Sequence, residues 1–221
     1  MMTGSETTPS FPGLAPDIAW AWQEYDAVRW PELTSWLSDS ERLSLDAYRS
    51  EKRKMEFVLG RAAARLLIGG RLGVSPAAVR LNVADDGAVE VAGAEIQLSI
   101  SHANGWATAV ISPRPVGIDM ERLAPRSPRV YRYYLSKDEY VLLEGADLDH
   151  DRLQVLLWAL KESVLKGTRT GLRVSPRDIR ITSLNLDGTA RIRDRDGASW
   201  RLEWIFWRGC YLAIADKENL P

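Results

Sequence analysis

VSPAAVRL at residues 74–81 and VSPRDIRI at residues 174–181 are two versions of one string, set 100 positions apart, and they decide the fold class. In each, the Ser caps a short turn and the fixed φ of Pro suits the position after it. Each string is followed by a turn signal, Asp86-Gly87 and Asp187-Gly188, and then by a strand-like stretch. Each copy closes on an apolar strand after a glycine: Gly105-Trp106-Ala107-Thr108-Ala109-Val110 and Gly209-Cys210-Tyr211-Leu212-Ala213-Ile214. Helical runs precede both strings, over 55–70 and 153–167. Turn strings do recur by coincidence, but the matched order of helix, VSP, strand, turn, strand, glycine and strand favours duplication. A period near 100 is too long for a solenoid unit. The expected fold is α+β, built as two similar α+β halves with mostly antiparallel sheets.

Working outward, residues 18–22 read as an opening strand, and Ser38 with Glu41 forms a capping box ahead of a helix. A longer helix is expected over 51–70, with Phe57, Ala64, Leu67 and Ile68 at helical spacing. Strands are expected at 98–101, 116–121 and 200–207, the last after a turn at 194–197. Ser136 and Glu139 make a second capping box, opening a helix over 137–144. Leu153, Leu156, Leu157, Leu160 and Val164 then draw an apolar stripe along the long helix of the second half. The expected organisation is a disordered or loosely draped tail at 1–16, a first half at 17–115 and a second half at 116–221.

Composition narrows the function. Of 221 residues 45% are hydrophobic and 27% charged, which excludes wholesale disorder and leaves ample chain for a core. Twenty-nine basic residues against 30 acidic ones remove the usual electrostatic case for a nucleic-acid partner. The single cysteine, Cys210, allows no internal disulfide, so a reducing, cytoplasmic location is expected. The opening residues are polar and punctuated by proline, unlike a signal peptide, and no apolar run approaches a membrane span. Nine tryptophans are assigned to packing.

Three constellations carry chemistry. Asp119 and Glu121 lie two apart on a strand, so their carboxylates share a face while Ile118 and Met120 turn the other way. Two oxygen donors without thiolate or imidazole suit a hard divalent cation such as Mg²⁺; a solvated strand end is the plain alternative. Trp158, Glu162 and Lys166 follow at i, i+4 and i+8 along a helix face separate from the apolar stripe, where an ordinary Glu–Lys surface pair is the alternative. Ser101-His102 ends a strand, and a histidine there contacts either a phosphate or only solvent. His150, among acidic neighbours, reads as a surface histidine without a role.

The order of these motifs resembles the 4′-phosphopantetheinyl transferases, in particular the large single-chain, surfactin-synthetase-activating type with two pseudo-symmetric halves. The resemblance spans about residues 38–215 and rests on Ser101-His102, residues 116–121, Leu135-Ser136-Lys137-Asp138-Glu139, residues 158–166 and Gly171-Leu172. It implies an enzyme that moves the phosphopantetheine arm of coenzyme A to a serine of an apo acyl or peptidyl carrier protein, with Mg²⁺, releasing 3′,5′-ADP. It implies Asp119, Glu121 and Glu162 as metal ligands. Glu162 would act as base, Lys166 would stabilise the leaving phosphate, and Ser101 and His102 would hold coenzyme A phosphate. The active site would lie where the halves meet. The chain departs from the family at Asp86-Gly87-Ala88-Val89, where many relatives carry Gly-Lys-Pro, and at Glu41 and Ser44, where some carry lysines. Lys52, Arg53, Lys54 and Arg61 remain available, of which Arg53 and Arg61 are assigned to the cofactor.

A carrier-docking segment is expected at residues 122–137, where Arg122, Arg126, Arg129, Arg132 and Lys137 interleave with Tyr131, Tyr133, Tyr134 and Leu135. A solvated loop with inward tyrosines is the alternative. A monomer is expected, with neither a nucleic acid nor a membrane as partner. Two rival functions are a silent binder of coenzyme A or carrier protein and a different Mg²⁺-dependent phosphoryl enzyme; neither a P-loop nor a kinase signature is present.

Overall fold

A computed structural model of the chain describes residues 9–125, 127–145 and 148–218. The first half runs β1 (Ala19–Glu24), α1 (Trp30–Ser35), α2 (Asp39–Ala47), α3 (Glu51–Leu72), β2 (Leu81–Val83), β3 (Val89–Val91), β4 (Gln97–Ala103) and β5 (Trp106–Ser112). The second runs β6 (Val116–Arg122), α4 (Pro128–Tyr134), α5 (Lys137–Gly145), α6 (His150–Gly167), β7 (Arg180–Leu184), β8 (Thr189–Arg193), β9 (Ser199–Trp207) and β10 (Cys210–Lys217). The fold is α+β with antiparallel sheets.

Sheet order repeats between the halves. The first has β1-β5-β4 and the second β6-β10-β9, so the last strand of each half lies between an entering strand and its own hairpin partner. Both VSP strings form the expected 3₁₀ turn, at Pro76–Ala78 and Pro176–Asp178, and each follows the long helix of its half; only Ser175 caps its turn, accepting from the Arg177 N–H, whereas the Ser75 side chain makes no cap. One difference stands out: β8 continues the ladder to β9, whereas β2 and β3 form a separate two-stranded ribbon.

The elements follow local rules. Ser38 accepts from the Glu41 N–H while the Glu41 side chain accepts from the Ser38 N–H, closing the first capping box; Ser136 and Glu139 close the second. The α6 stripe of Leu153, Leu156, Leu157, Leu160 and Val164 is fully buried against the five-stranded sheet, with Trp200 beneath it. Each such leucine stabilises the fold by about 1.5–3 kcal/mol. A second core joins the halves: Ile18 and Val110 from the first meet Ile118, Met120, Leu212 and Ile214 from the second.

Two expectations need correction, and one helix is additional to them. Residues 9–16 are not loosely draped: Phe11 is buried edge-on to Trp20, and the Gly13 N–H donates to Glu203 across 3.0 Å. Residues 1–8 lie outside the described residues. The stretch expected to be a loop before Lys137 contains the helix α4, and α1 was not anticipated; both open with a proline in the first helical turn, which its fixed φ favours. No helix among the described residues is long and apolar enough to cross a membrane.

Candidate active site

The site forms where β4, the edge of one sheet, runs beside β6, the edge of the other. Period-two alternation on β4 sends Ser99 and Ser101 toward β6, and Ile100 and His102 toward a first-half cleft. The serines link the sheets through side chains: the Ile118 N–H donates to Ser99 Oγ and the Met120 N–H to Ser101 Oγ, each at 3.1 Å.

Asp119 is almost fully buried in this junction. Its Oδ1 accepts from Ser101 Oγ at 2.9 Å and from Lys166 Nζ at 2.6 Å, and the same lysine donates to Ser101 Oγ at 2.8 Å. Its Oδ2 is buried with no hydrogen-bond partner, an oxygen facing inward without compensation. The Trp158 indole N–H donates to Glu121 Oε1 at 2.8 Å, and the Tyr134 ring packs on that indole. Glu162 stands half-buried on the helix face that carries Trp158 and Lys166.

What brings α6 this near to β6 is a pair of glycines. A Cβ on Gly117 would stand 1.8 Å from the Ser163 carbonyl oxygen, and one on Gly167 would stand 2.6 Å from the Trp200 ring. Gly117 lies in the motif at 116–121 and Gly167 directly follows the one at 158–166, but their spatial role is not legible in the sequence. Lys161 separates from its neighbours in the same motif. It is fully buried, donating to Glu139 Oε2 at 2.7 Å, the Tyr134 carbonyl at 2.8 Å and the Pro176 carbonyl at 3.0 Å. It holds α4, α5 and the second VSP turn together.

The first-half cleft measures about 860 Å³ and is walled by α2, α3, the β2–β3 ribbon, Ile100 and His102. A second cavity of about 560 Å³ shares Glu56 and His102 with it and continues to Glu121 and Arg122, so one trough leads from the cleft to the Glu121 carboxylate. His102 Nδ1 lies 3.5 Å from Glu56 Oε2. Burial holds the imidazole below its usual range; the Glu56 charge opposes that shift, and Lys166 and Arg53 reinforce it.

Arg53 stands exposed at the cleft mouth. Arg61 is largely spent inside, its Nε 3.0 Å from Glu41 Oε1 and its guanidinium over the Phe57 ring. Glu41 also receives Arg65, so an acid suits this position. Burial alone would raise its carboxyl, but Arg65 and the Ser38 N–H hold it below the usual range. Ser101 departs from its expected role: its hydroxyl is buried, with one bond donated and two accepted within the junction, instead of facing the cleft. Of the docking segment, Tyr134 points inward and donates to the Gln154 carbonyl, whereas Arg122, Arg132 and Tyr133 are exposed. Arg126 lies outside the described residues, and Arg129 and Tyr131 are described only as backbone in α4. His150 is exposed, within reach of Gln154 Nε2.

Comparison with known proteins points to one enzyme family. Residues 115–215 match the family model of the 4′-phosphopantetheinyl transferase superfamily, a span that includes β6 and α6. A 4′-phosphopantetheinyl transferase of Bacillus subtilis is 29% identical over 164 residues, covering 68% of this chain and 73% of the relative. The 4′-phosphopantetheinyl transferase Sfp of Bacillus subtilis strain 168 is 32% identical over 106 residues, 48% of this chain and 47% of Sfp. The 4′-phosphopantetheinyl transferase HetI of Nostoc is 26% identical over 149 residues, 64% of this chain and 63% of HetI. Over these spans the chain is similar to 4′-phosphopantetheinyl transferases, and the match to the superfamily model lies in its second half.

Proposed function

We propose that this chain transfers the 4′-phosphopantetheine arm of coenzyme A to a serine hydroxyl of an apo carrier protein and releases 3′,5′-ADP. The observation that carries this reading is the junction itself: a buried Asp119 bonded to Lys166, with Glu121 two residues on along β6 and lining a trough that leads to a cleft large enough for a nucleotide.

The donor chemistry fits a divalent cation. It is all oxygen, and Asp119 Oδ2 is buried without a partner. Among the described residues no three His, Cys, Asp or Glu side chains are gathered for a metal. Asp119, Glu121 and Glu162 would hold it, with Glu162 brought in from α6. When bound, Mg²⁺ would neutralise charge on the pyrophosphate and align it for displacement.

The remaining work falls to side chains of this chain. The carrier serine Oγ attacks the phosphorus bearing the pantetheine arm, the bond from that phosphorus to the bridging oxygen breaks, and the serine proton passes to Glu162. Lys166 exchanges its hold on Asp119 for the charge developing on the departing 3′,5′-ADP. His102 and Arg53 face the cleft and suit coenzyme A phosphates. The carrier docks along Arg122, Arg126, Arg129 and Arg132 with Tyr131 and Tyr133, where basic charge meets an acidic partner. A buried Cys210 is compatible with cytoplasmic action, and the enzyme is read as a monomer.

The test is to incubate the protein with coenzyme A, Mg²⁺ and an apo carrier protein and to weigh the carrier. A gain of one phosphopantetheine supports transfer. Coenzyme A binding without that gain would make the chain a silent binder and overturn the reading.

A further inference from the structure

A second link between the halves lies just beyond α6. Arg169 takes the left-handed region, φ 58°, which any residue with a Cβ disfavours. Its Nε and Nη2 donate to the two oxygens of Asp86 at 2.9 and 3.0 Å, and its Nη1 donates to Glu90 at 2.5 Å. Asp86 sits in the turn between β2 and β3, and Glu90 sits in β3.

That ribbon is the part of the first half with least ladder support. Its counterpart β7–β8 is continued by β9, whereas β2 and β3 bond only to each other. A two-stranded ribbon is marginal by itself. Leu81, Asn82, Val83, Gly87 and Val89 of this ribbon nevertheless form one wall of the large cleft. A lone exposed ion pair would contribute little, but a two-pronged arginine fork on one carboxylate with a second carboxylate alongside is the stronger case. The guanidinium also holds the Asp86 carboxyl down to about 2, so the pair stays charged at working pH.

We propose that Arg169 is a positioning residue that latches the β2–β3 ribbon to the end of the catalytic helix, so that coenzyme A affinity depends on an ion pair across the two halves. This rests on the reading that the first-half cleft seats the nucleotide of coenzyme A. It also accounts for the chain lacking a basic residue in this turn: Asp86 receives its cation from the other half.

Coenzyme A binding, measured calorimetrically with Mg²⁺ at low salt, tests it on the full chain. Arg169→Ala and Arg169→Gly should each weaken binding about ten-fold, with kcat at saturating coenzyme A and the carrier KM within about two-fold of wild type. The glycine variant relieves the left-handed backbone, so its thermal midpoint should not fall and unfolding cannot explain its loss. Backbone amides of 81–91 should exchange faster in both. The reversed pair Asp86→Arg with Arg169→Asp should recover binding to within about three-fold. Wild-type affinity in Arg169→Gly, or no recovery in the reversed pair, overturns the latch alone. Failure of the wild-type protein to bind coenzyme A overturns the cleft reading and the latch with it.

Discussion

Gly117 in β6 and Ser163 in α6 approach so closely that a Cβ on the glycine would meet the serine carbonyl oxygen at 1.8 Å. The obstructing atom belongs to helix backbone, so no side-chain rotation relieves the clash. Gly117→Ala should therefore lift α6 from β6, at a cost toward the upper end of the about 1–3 kcal/mol typical of overpacking. The lift also lengthens the Lys166–Asp119 contact. Urea unfolding and transfer assays should both show a loss, and wild-type stability in this variant would mean that the helix has slack the geometry denies.

The carboxylates are separable from the fold. Asp119→Asn keeps the shape and leaves the Ser101 hydroxyl a partner, while Glu162→Gln keeps a half-buried polar side chain. Each should lower kcat/KM more than about ten-fold, or about 1.4 kcal/mol of transition-state stabilisation, with an unchanged circular dichroism spectrum. Retention of more than a tenth of wild-type kcat/KM would remove the variant residue from the proposed machinery.

Two lysines of one motif should behave oppositely. Lys161 is buried with all three donors satisfied, and burial pushes its ammonium below the usual lysine range despite Glu139 beside it. Lys161→Met strands the Glu139 carboxylate and should cost about 3–5 kcal/mol of stability. Lys166 is partly exposed, yet it is the cation on buried Asp119, so its removal should cost some stability, though less than that of Lys161 because water reaches the ammonium. Lys166→Met should instead lower kcat more than it weakens coenzyme A binding. Denaturation midpoints and calorimetry on the two variants check the contrast; equal losses of kcat and binding in Lys166→Met would indicate a ground-state phosphate contact.

Legibility in the sequence followed the range of the interaction. Capping boxes, the α6 stripe and the paired VSP turns are local, and Ser38, Ser136 and Leu160 stand in the elements their spacing predicts. The shared face of Asp119 and Glu121 also follows from strand periodicity alone. Ser101 could not be read this way, because its partners Asp119 and Lys166 are set by the meeting of two sheet edges. The buried tie of Lys161 to Glu139 likewise crosses between helices, although the capping box from Ser136 to Glu139 did mark Glu139 as engaged. Helix α4 was hidden by its own basic and aromatic composition, which suits a docking loop as well as a helix.

His102 supplies the pH prediction. Its folded pKa lies below the ordinary 6.5, chiefly through burial, so between those values the unfolded chain binds more protons than the folded one. Stability should accordingly fall as pH drops through that window from 6.5 and level off below the folded value. Phosphate arriving beside the ring would favour the imidazolium, so coenzyme A binding should take up a proton in the same window and strengthen as pH falls. The chain has two histidines, so His102→Gln assigns the resonances in an NMR titration. The His102 signal should titrate below 6.5 in the free protein and at higher pH with coenzyme A bound, and the variant should flatten the stability slope. A free-protein midpoint at or above 6.5 would remove burial as the dominant influence, and an unchanged midpoint on binding would place the phosphates away from His102.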